Sequence, residues 1–284
     1  MRALYDVPAP AKLNLFLHVV GRRSDGYHLL QSAFMLIDWC DLLHFERSDD
    51  GRILRHDSGT ALPETDLVVR AAQLLRRATG SRHGVEIHLE KNIPLQAGLG
   101  GGSSDAATTL LALNRLWDLK LGAAELAAVG LQLGADVPFF IHGANAWVEG
   151  VGERTRTITL PAASFAVLKP PHGLSTRDIF AARKPGRWTN PATISDFAVA
   201  PFAFGKNDLQ EAAERLYPEI GTALSLLSER HLSGRMTGAG SAVFARLPDA
   251  CQEQQKMPDC PPKWEARLCQ NLMEHPLCHW ISSR

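Results

Sequence analysis

The amino-acid sequence predicts an α+β protein, because segments with the two-residue period of strands and segments with helical spacing are mixed along the chain. Residues Lys12–Val19 alternate in character, which is typical of a strand and places the lysine and the asparagine of KLN on one face. Residues Asp66–Thr79 have the pattern of a helix, with an aspartate as N-cap and a glycine after the last turn. A short strand, Val85–Leu89, then leads through a glycine-rich loop into an Ala/Leu-rich helix that starts at Ser104.

The remaining elements follow the same mixed pattern. Apolar runs predict strands at Phe34–Ile37, Leu42–Phe45, Thr157–Leu160, Phe165–Leu168 and Ala242–Phe244. Helical spacing predicts helices at Ala123–Leu133, from about Val137, at Asp208–Leu216 and at Ile220–Glu229. Residues Arg183–Pro201 are rich in Pro, Thr and Asn and predict a long loop. We place a domain boundary after residue 157, which gives an N-terminal domain of residues 1–157 and a C-terminal domain of residues 158–284.

The composition excludes several classes of protein. The chain has 284 residues, 45% of them hydrophobic and 21% charged, as is usual for one or two globular domains. Lys plus Arg and Asp plus Glu both number 30, and this zero net charge argues against a broad surface for nucleic acid or anionic membranes. The N-terminal apolar run is short and interrupted, and no stretch of roughly 20 apolar residues occurs. We therefore expect no signal peptide, no membrane span and a cytoplasmic location.

The cysteines indicate a reducing compartment, because their number is odd and no close pairs occur. They are Cys40, Cys251, Cys260, Cys269 and Cys278. The last four recur every nine residues, with two histidines nearby, so a zinc site is conceivable. The closely spaced ligand pairs of such sites are missing, which favours ordinary reduced thiols and no protein-bound metal.

The strongest local signal is the segment Gly98–Asp105, GLGGGSSD. Glycines let the backbone approach a polyphosphate, and the helix that follows offers unpaired N–H groups and a partial positive charge. Its two serines add hydroxyl donors. A flexible linker is the alternative, but a linker need not lead directly into a helix. The segment matches neither a P-loop nor the dinucleotide fingerprint.

Other candidate residues are ambiguous when taken one at a time. Asp136, in GADVPFF, could act as a general base, but an aspartate before a proline is also a good helix N-cap, which local sequence alone favours. Lys12 could be a surface lysine, and Tyr27 and His28 could be packing residues.

Four segments in a fixed order resolve this ambiguity. They are PAKLNLFLHVVGRRSDGYH, PLQAGLGGGSSDAA, LGADVPFF and TGAGSAVF, and together they resemble the signature segments of the GHMP kinases. The resemblance covers residues 8 to 247. It is weaker in the loop 183–201 and in the last 37 residues. It implies a ribosomal protein S5 domain 2-like N-terminal domain that binds ATP and a ferredoxin-like C-terminal domain that binds substrate, with the site between them.

The resemblance also implies a set of ATP-binding residues, with Mg²⁺ on the phosphates. These are Asp66 and Lys91 near the adenosine, together with Pro94, Gly98, Leu99, Gly100, Gly101, Gly102, Ser103 and Ser104. Two positions depart from the family pattern, because Asn is common where this chain has Asp66 and Gly is usual at or near Gln96. The second departure puts the local loop conformation in doubt.

The first and third segments resemble the branch of the family whose substrate is a cytidine diphosphate methylerythritol. This implies that Tyr27 stacks on the cytosine, His28 reads it and Phe180 covers its other face, with Thr176 and Ser175 as weaker candidates. The implied catalytic residues are Lys12 and Asp136, which gather with Asn14 round the accepting hydroxyl.

The implied partner is thus a small molecule, not nucleic acid or a membrane, and we expect a monomer or a weak homodimer. Two other readings stay open: a GHMP kinase acting on homoserine or a mevalonate derivative, and a non-catalytic nucleotide- or RNA-binding module on the same fold. The DGYH segment argues against the first. The zero net charge and the presence of Lys12 and Asp136 argue against the second.

Overall fold

The computed structural model describes residues 1–59, 61–184, 186–248 and 260–281. The strands are β1 (Ala3–Arg22), β2 (His28–Ser48), β3 (Ile53–Ser58), β4 (Gly84–Glu90), β5 (Ala146–Gly150), β6 (Arg154–Thr157), β7 (Ser164–Lys169), β8 (Gly234–Met236), β9 (Val243–Arg246) and β10 (Glu265–Gln270). The helices are α1 (Leu67–Thr79), α2 (Gly101–Leu116), α3 (Ala123–Leu131), α4 (Val137–His142), α5 (Thr176–Ala182), α6 (Ile194–Val199), α7 (Gln210–Leu216) and α8 (Glu219–Ser228).

The first sheet is organised round the long strand β2. Strand β1 pairs with β2 along most of its length, while β4 and β5 pair with its two halves, and all these pairs are antiparallel. The path through the sheet is β3-β4-β2-β5-β6, in which β3 lies at an edge and runs parallel to β4. Helices α1 to α4 cover one face of this sheet and close the first core, to which α1 contributes Val68, Ala72 and Leu75 at helical spacing.

The second sheet has the order β10-β7-β9-β8 and is antiparallel throughout. A second core joins the two sheets, with Leu13 and Phe16 of β1 against Phe165 and Val167 of β7. A third core lies between the second sheet and helices α5, α7 and α8. The molecule is therefore layered as helices, sheet, sheet and helices, and the cleft described below opens beside the second core.

Most predicted elements are confirmed, with α1 capped by Asp66 and ended by a left-handed Gly80. Helix α2, however, begins at Gly101, three residues before the predicted start, because tertiary contacts hold its glycines in helical geometry. The predicted strand at residues 157–160 is wrong in position, since β6 ends at residue 157. Strand β6 has the polar sequence RTRT and pairs with β5 at the edge of the sheet. Because an edge strand is not buried on both sides, β6 lacks the apolar pattern by which strands were predicted. The predicted loop 183–201 contains helix α6.

The last described segment returns to the first half of the chain. Asn271 and Glu274 form isolated bridges with Ile37 and Ala144, and Leu277 lies in the first core. The domain boundary after residue 157 stays a prediction.

Two of the sequence expectations concern the surface of the molecule. Among the described residues, no helix combines the length and apolar character that crossing a bilayer requires. Cys40, Cys269 and Cys278 are free thiols, and Cys251 lies outside the described residues. Burial raises the pKa of Cys40 to about 11 and that of Cys269 to about 12.

Candidate active site

A cleft of about 580 Å³ collects most of the predicted site residues. Its walls come from β1 and β2, the glycine loop, the start of α4, helix α5 and the turn before β9. The predicted residues that line it are Lys12, Asn14, Lys91, Pro94, Gly98, Leu99, Gly100, Gly101, Gly102, Ser103, Asp136, Thr176 and Phe180. Five others, Asp66, Ser104, Tyr27, His28 and Ser175, do not line it, and Ser175 is the N-cap of α5.

The glycine loop has the backbone geometry that its sequence predicts. Gly98 and Gly100 have φ of 75° and 74°, in the left-handed region that favours glycine. A Cβ on Gly98 would lie 2.2 Å from the carbonyl oxygen of Thr237, and one on Gly100 would lie 3.0 Å from the Phe140 ring. Helix α2 starts directly afterwards, and the N–H groups of its first turn have no intrahelical acceptor. The loop thus presents a helix N-terminus to the cleft, which is a site for an anion.

Lys12 is the buried cation of the cleft. Its side chain is 4% exposed, and its Nζ donates to the side-chain oxygen of Asn14 and, at 3.0 Å, to the carbonyl of Gly98. The same Nζ lies 4.0 Å from a carboxylate oxygen of Asp136 and 5.0 Å from the centre of the Phe34 ring. Burial lowers the pKa of Lys12, and the charge of Asp136 opposes this effect.

Asn14 is held by a network that fixes the direction of its amide. Its backbone N–H donates to the Thr237 hydroxyl at 2.9 Å, and its side-chain NH₂ donates to the Ser32 hydroxyl at 2.9 Å. Ser32 in turn donates to the carbonyl of Phe16. Because its NH₂ group is used in this way, Asn14 must turn its oxygen toward Lys12.

Asp136 occupies the N-cap position of α4 but makes no capping hydrogen bond with its side chain. The five residues that follow it are buried, and the carboxylate itself is 32% exposed and lines the cleft. The local sequence favours a cap, whereas the structure leaves the carboxylate directed at Lys12. Lys12, Asn14 and Asp136 are therefore brought together beside the glycine loop.

The ammonium group of Lys91 is less available to a bound ligand than its predicted role suggests. Its side chain is 3% exposed, and its Nζ is bound by two buried carboxylates, Asp41 and, at 2.8 Å, Asp105. Burial lowers the pKa of Lys91, but the charges of Asp105 and Asp41 outweigh burial and raise it. The ammonium is thus used within the protein, beneath the first turn of α2.

Asp66 borders a smaller cavity of about 240 Å³, which shares Leu67, Lys91, Leu95 and Gly102 with the cleft. Its carboxylate accepts from the N–H of Val69 at 3.1 Å and pairs with Arg55 at 2.5 Å. An asparagine could cap the helix equally well but could not balance the charge of Arg55. The ion pair gives a physical reason for the aspartate at this position.

Gln96 adopts the glycine-like conformation that its position requires. Its φ is 51°, and its carbonyl accepts from the N–H groups of Leu174 and Ser241 at 3.2 and 3.3 Å. These bonds connect the glycine loop to the second half of the chain and compensate for the strain of a non-glycine residue.

The aromatic end of the cleft is arranged differently from the expectation. His28 stacks on Phe180, with ring centres 5.0 Å apart and an angle of 24° between the planes. Tyr27 is 65% exposed. Phe180 and Thr176 lie one turn apart on α5 and both face the cleft. The ring of His28 therefore covers one face of Phe180. Burial, followed by the charges of Arg22 and Arg183, lowers the pKa of His28.

Several contributing residues were not predicted. Ser32, Thr237 and Phe34 surround Lys12 and Asn14, and Asp41 and Asp105 hold Lys91. Thr237 and Asp105 lie inside recognised motifs, so the sequence contained a signal for them. Ser32 and Asp41 sit in a strand without any local signal. Ser104, which was predicted to contact ATP, is fully buried, and its hydroxyl has no partner within the described structure.

Comparison with known families defines the class of protein. The profile described as "GHMP kinases N terminal domain" matches residues 66–144, and that described as "GHMP kinases C terminal" matches residues 194–256. The fold is thus that of the GHMP kinases, and the predicted α+β fold of that family is confirmed.

Full-length relatives show which family within the GHMP kinases the chain resembles. The chain is 58% identical over 285 residues to 4-diphosphocytidyl-2-C-methyl-D-erythritol kinase of Acidovorax sp. (strain JS42), with 99% of each chain covered. It is 57% identical to the kinase of that name from Polaromonas sp. (strain JS666 / ATCC BAA-500), which covers 99% of this chain and 95% of that one. The chain therefore belongs to the family of the 4-diphosphocytidyl-2-C-methyl-D-erythritol kinases within the GHMP kinases.

Solved structures agree with this assignment. A crystal structure of 4-(cytidine 5'-diphospho)-2C-methyl-D-erythritol kinase superposes with a TM-score of 0.79 and 36% identity, covering 92% of this chain and 98% of that one. A homoserine kinase from Cytophaga hutchinsonii superposes with a TM-score of 0.68 at 16% identity over 97% of this chain and 96% of that one, which shows a common fold alone.

Proposed function

We propose that this protein transfers the γ-phosphoryl group of ATP to the 2-hydroxyl of 4-diphosphocytidyl-2-C-methyl-D-erythritol, giving the 2-phosphate and ADP, in the non-mevalonate pathway of isoprenoid biosynthesis. The observation that supports this most directly is the position of Lys12 and Asp136 beside the glycine loop, within one cleft. The names of the full-length relatives support the choice of substrate.

The glycine loop is the proposed site of the ATP phosphates. The N–H groups at the start of α2 and the left-handed glycines before it suit an anion that approaches the backbone closely. The smaller cavity between Leu67, Arg70 and Leu95 adjoins this loop and is the proposed place of the adenosine. Lys91 would contribute its aliphatic chain there, since its ammonium is bound by Asp41 and Asp105.

Magnesium fits the oxygen ligands near this loop. The hydroxyl of Ser103 lines the cleft at the start of α2, and hard oxygen atoms are what Mg²⁺ prefers. When bound, the ion would neutralise part of the phosphate charge.

Asp136 is the proposed general base. A carboxylate without a capping bond can accept a proton from a hydroxyl within hydrogen-bond reach as the new P–O bond forms. Lys12, 4.0 Å away, stabilises the negative charge that develops on the attacking oxygen. Asn14 holds Lys12 in place through its fixed side-chain oxygen.

The cytidine is proposed to lie at the aromatic end of the cleft. Phe180 and Thr176 face the cleft there. Tyr27 is the last residue of the loop before β2, and His28 is the first residue of that strand. For the cytosine to stack on the face of Phe180 that His28 now covers, His28 must turn away from that ring. Such a side-chain rearrangement is common when a ligand binds.

The test offers three acceptors in parallel with MgATP: 4-diphosphocytidyl-2-C-methyl-D-erythritol, mevalonate and homoserine. We expect ADP release with the first acceptor alone, and a phosphorus NMR spectrum in which the new phosphate is attached at the 2-position. ADP release with mevalonate or homoserine, but not with the cytidine compound, would contradict the proposed substrate. The assignment of the protein as a kinase would still stand. The matched control is the same mixture without acceptor, which measures ATP hydrolysis by water.

A further inference from the structure

Two histidines and a glutamate meet on the face of the first sheet that the helices leave uncovered. His56 of β3 and His88 of β4 have ring centres 4.8 Å apart, and their Nε2 atoms lie 2.9 and 3.7 Å from the same carboxylate oxygen of Glu86. The three ligand atoms all lie within 4.8 Å of one another. All three side chains are about half exposed.

The backbone register of the sheet holds this cluster together. His56 and His88 are directly paired in the parallel β3–β4 ladder, so their side chains share one face. Glu86 stands two residues before His88 and therefore points the same way, while the apolar residues between them enter the first core. Only side-chain rotation is needed to bring the three groups onto one point.

We propose that His56, Glu86 and His88 bind a divalent transition-metal cation of the zinc type, with water completing its coordination. Two imidazole nitrogens and one carboxylate oxygen are a ligand set that suits Zn²⁺, Ni²⁺ or Cu²⁺. In a tetrahedral zinc site with bonds of about 2.0–2.1 Å, neighbouring ligand atoms are separated by about 3.4 Å. The separations of 2.9 and 3.7 Å seen here bracket that value.

A hydrogen bond joins only one of the two histidines to the carboxylate. His56 can donate to Glu86 at 2.9 Å, but the 3.7 Å between His88 and the same oxygen is too long for a hydrogen bond. A cation between the three atoms would satisfy all of them at once.

The neighbouring strand explains why the site lies at the β3–β4 edge. His44 and Glu46 of β2 are paired with His88 and Glu86 and stand on the same face. His44 already accepts from the N–H of Asp6 at 3.1 Å, and Glu46 accepts from the Tyr5 hydroxyl at 2.7 Å. Those two side chains are thus engaged by β1, whereas in the described part of the chain no hydrogen bond to β1 engages His56, Glu86 or His88.

This site is separate from the proposed kinase chemistry. None of its three residues lines the cleft or the smaller cavity beside it. Its imidazole ligands also differ from the oxygen ligands that Mg²⁺ prefers, so the magnesium of a kinase assay should not compete for it. A metal here would fasten the edge strand β3 to β4.

The experiment is a calorimetric titration of the tag-free, reduced full-length protein with ZnCl₂ in the presence of excess Mg²⁺. We expect one site in the wild type, and an affinity reduced by about tenfold or more in each of His56→Ala and His88→Ala, because even residues that only support metal ligands are worth that much. His172→Ala is the matched control, since His172 is an exposed histidine with a single carboxylate, Glu219, at 3.5 Å. It should bind zinc like the wild type.

Cobalt distinguishes this site from the cysteines of the chain. The Co²⁺ complex of the wild type should lack a thiolate-to-metal charge-transfer band, and its visible spectrum should disappear in His56→Ala. Circular dichroism checks that the variants are folded. The proposal is overturned if the wild type binds no zinc, if both histidine variants bind it with unchanged affinity, or if the cobalt spectrum is that of a thiolate complex.

Discussion

The two ends of the cleft are built in different ways. At the end formed by the glycine loop, Lys12 and Asn14 are almost fully buried, and Asn14 is fixed by hydrogen bonds to Ser32 and Thr237. At the aromatic end, Tyr27 is 65% exposed and one face of Phe180 is covered by His28. The first end is organised by buried hydrogen bonds, whereas the second consists of aromatic side chains near the surface.

This difference follows from what each end is proposed to do. Phosphoryl transfer depends on groups that are already in position, because any reorganisation during the reaction adds to the barrier. Recognition of a nucleobase needs only stacking and a few hydrogen bonds, which side chains on a surface loop can supply on binding. We therefore expect substitutions at the glycine-loop end to affect turnover or ATP binding, and those at the aromatic end to affect binding of the cytidine substrate.

The largest effect is expected from Asp136→Asn. The change preserves size, and no capping bond is lost, because the Asp136 side chain makes none. Since an amide cannot accept the hydroxyl proton, single-turnover phosphorylation should slow by roughly 10²–10⁴-fold while thermal stability and ATP binding stay near wild type. Normal turnover in this variant would remove the catalytic assignment and leave only a nucleotide-binding claim.

Lys12→Met should also slow turnover, by a smaller or similar factor, since it removes the charge next to Asp136. The informative measurement is the double variant with Asp136→Asn. Residues that act as one unit are not additive, so the double variant should lose much less than the product of the two single losses. Fully multiplicative losses would show that Lys12 and Asp136 act independently.

Gly98→Ala tests the backbone of the glycine-loop end. A Cβ there would lie 2.2 Å from the carbonyl of Thr237, at a left-handed φ of 75°. The matched control is Gly80→Ala, which has a similar φ of 67° and no atom within 4 Å of the added Cβ. The control should cost about 1–2 kcal/mol for the left-handed conformation alone. Gly98→Ala should cost more in chemical denaturation and should weaken ATP binding, and equal losses of stability with unchanged ATP titration would contradict the close approach.

Structural features that depend on neighbouring residues could be predicted from the sequence, whereas features that depend on contacts between distant residues could not. Helix α1 is predicted to its ends because Asp66 and Gly80 act on neighbouring residues. The glycine loop is predicted because its conformation is a property of glycine itself. The contact between Lys91 and Asp41, by contrast, joins residues 50 positions apart and exists only once β2 and β4 are paired.

The same reasoning explains the errors at the level of elements. Two strands were predicted where the single strand β2 runs from His28 to Ser48, because β1 pairs with β2 before and after its polar middle and so holds the two apolar runs in one strand. An irregularity of β1 between Asn14 and Leu17 places Phe16 and Leu15 in the same core, against the predicted alternation. Bulges and edge strands are set by pairing, so the sequence period does not reveal them.

The smallest effect is expected at the aromatic end, from Tyr27→Ala. Tyr27 is exposed and forms no ring contact with His28 or Phe180 in the described structure, so its removal should leave stability and ATP binding unchanged. Loss of one stacking face is typically worth about 1–3 kcal/mol per base, and the KM for the cytidine substrate should rise accordingly with little change in kcat.

Phe180→Ala distinguishes a stacking role for Tyr27 from a general effect at the mouth of the cleft. Phe180 lines the cleft and stacks with His28, so its removal takes away a stacking face and also frees His28 from the contact that it makes with this ring. We therefore expect Phe180→Ala to weaken substrate binding with a smaller net change than the loss of a free aromatic face would cause. If Tyr27→Ala instead abolishes ATP binding and preserves binding of the cytidine substrate, the two ligands lie in the opposite orientation, and the organised end of the cleft would then hold the acceptor rather than the phosphate donor.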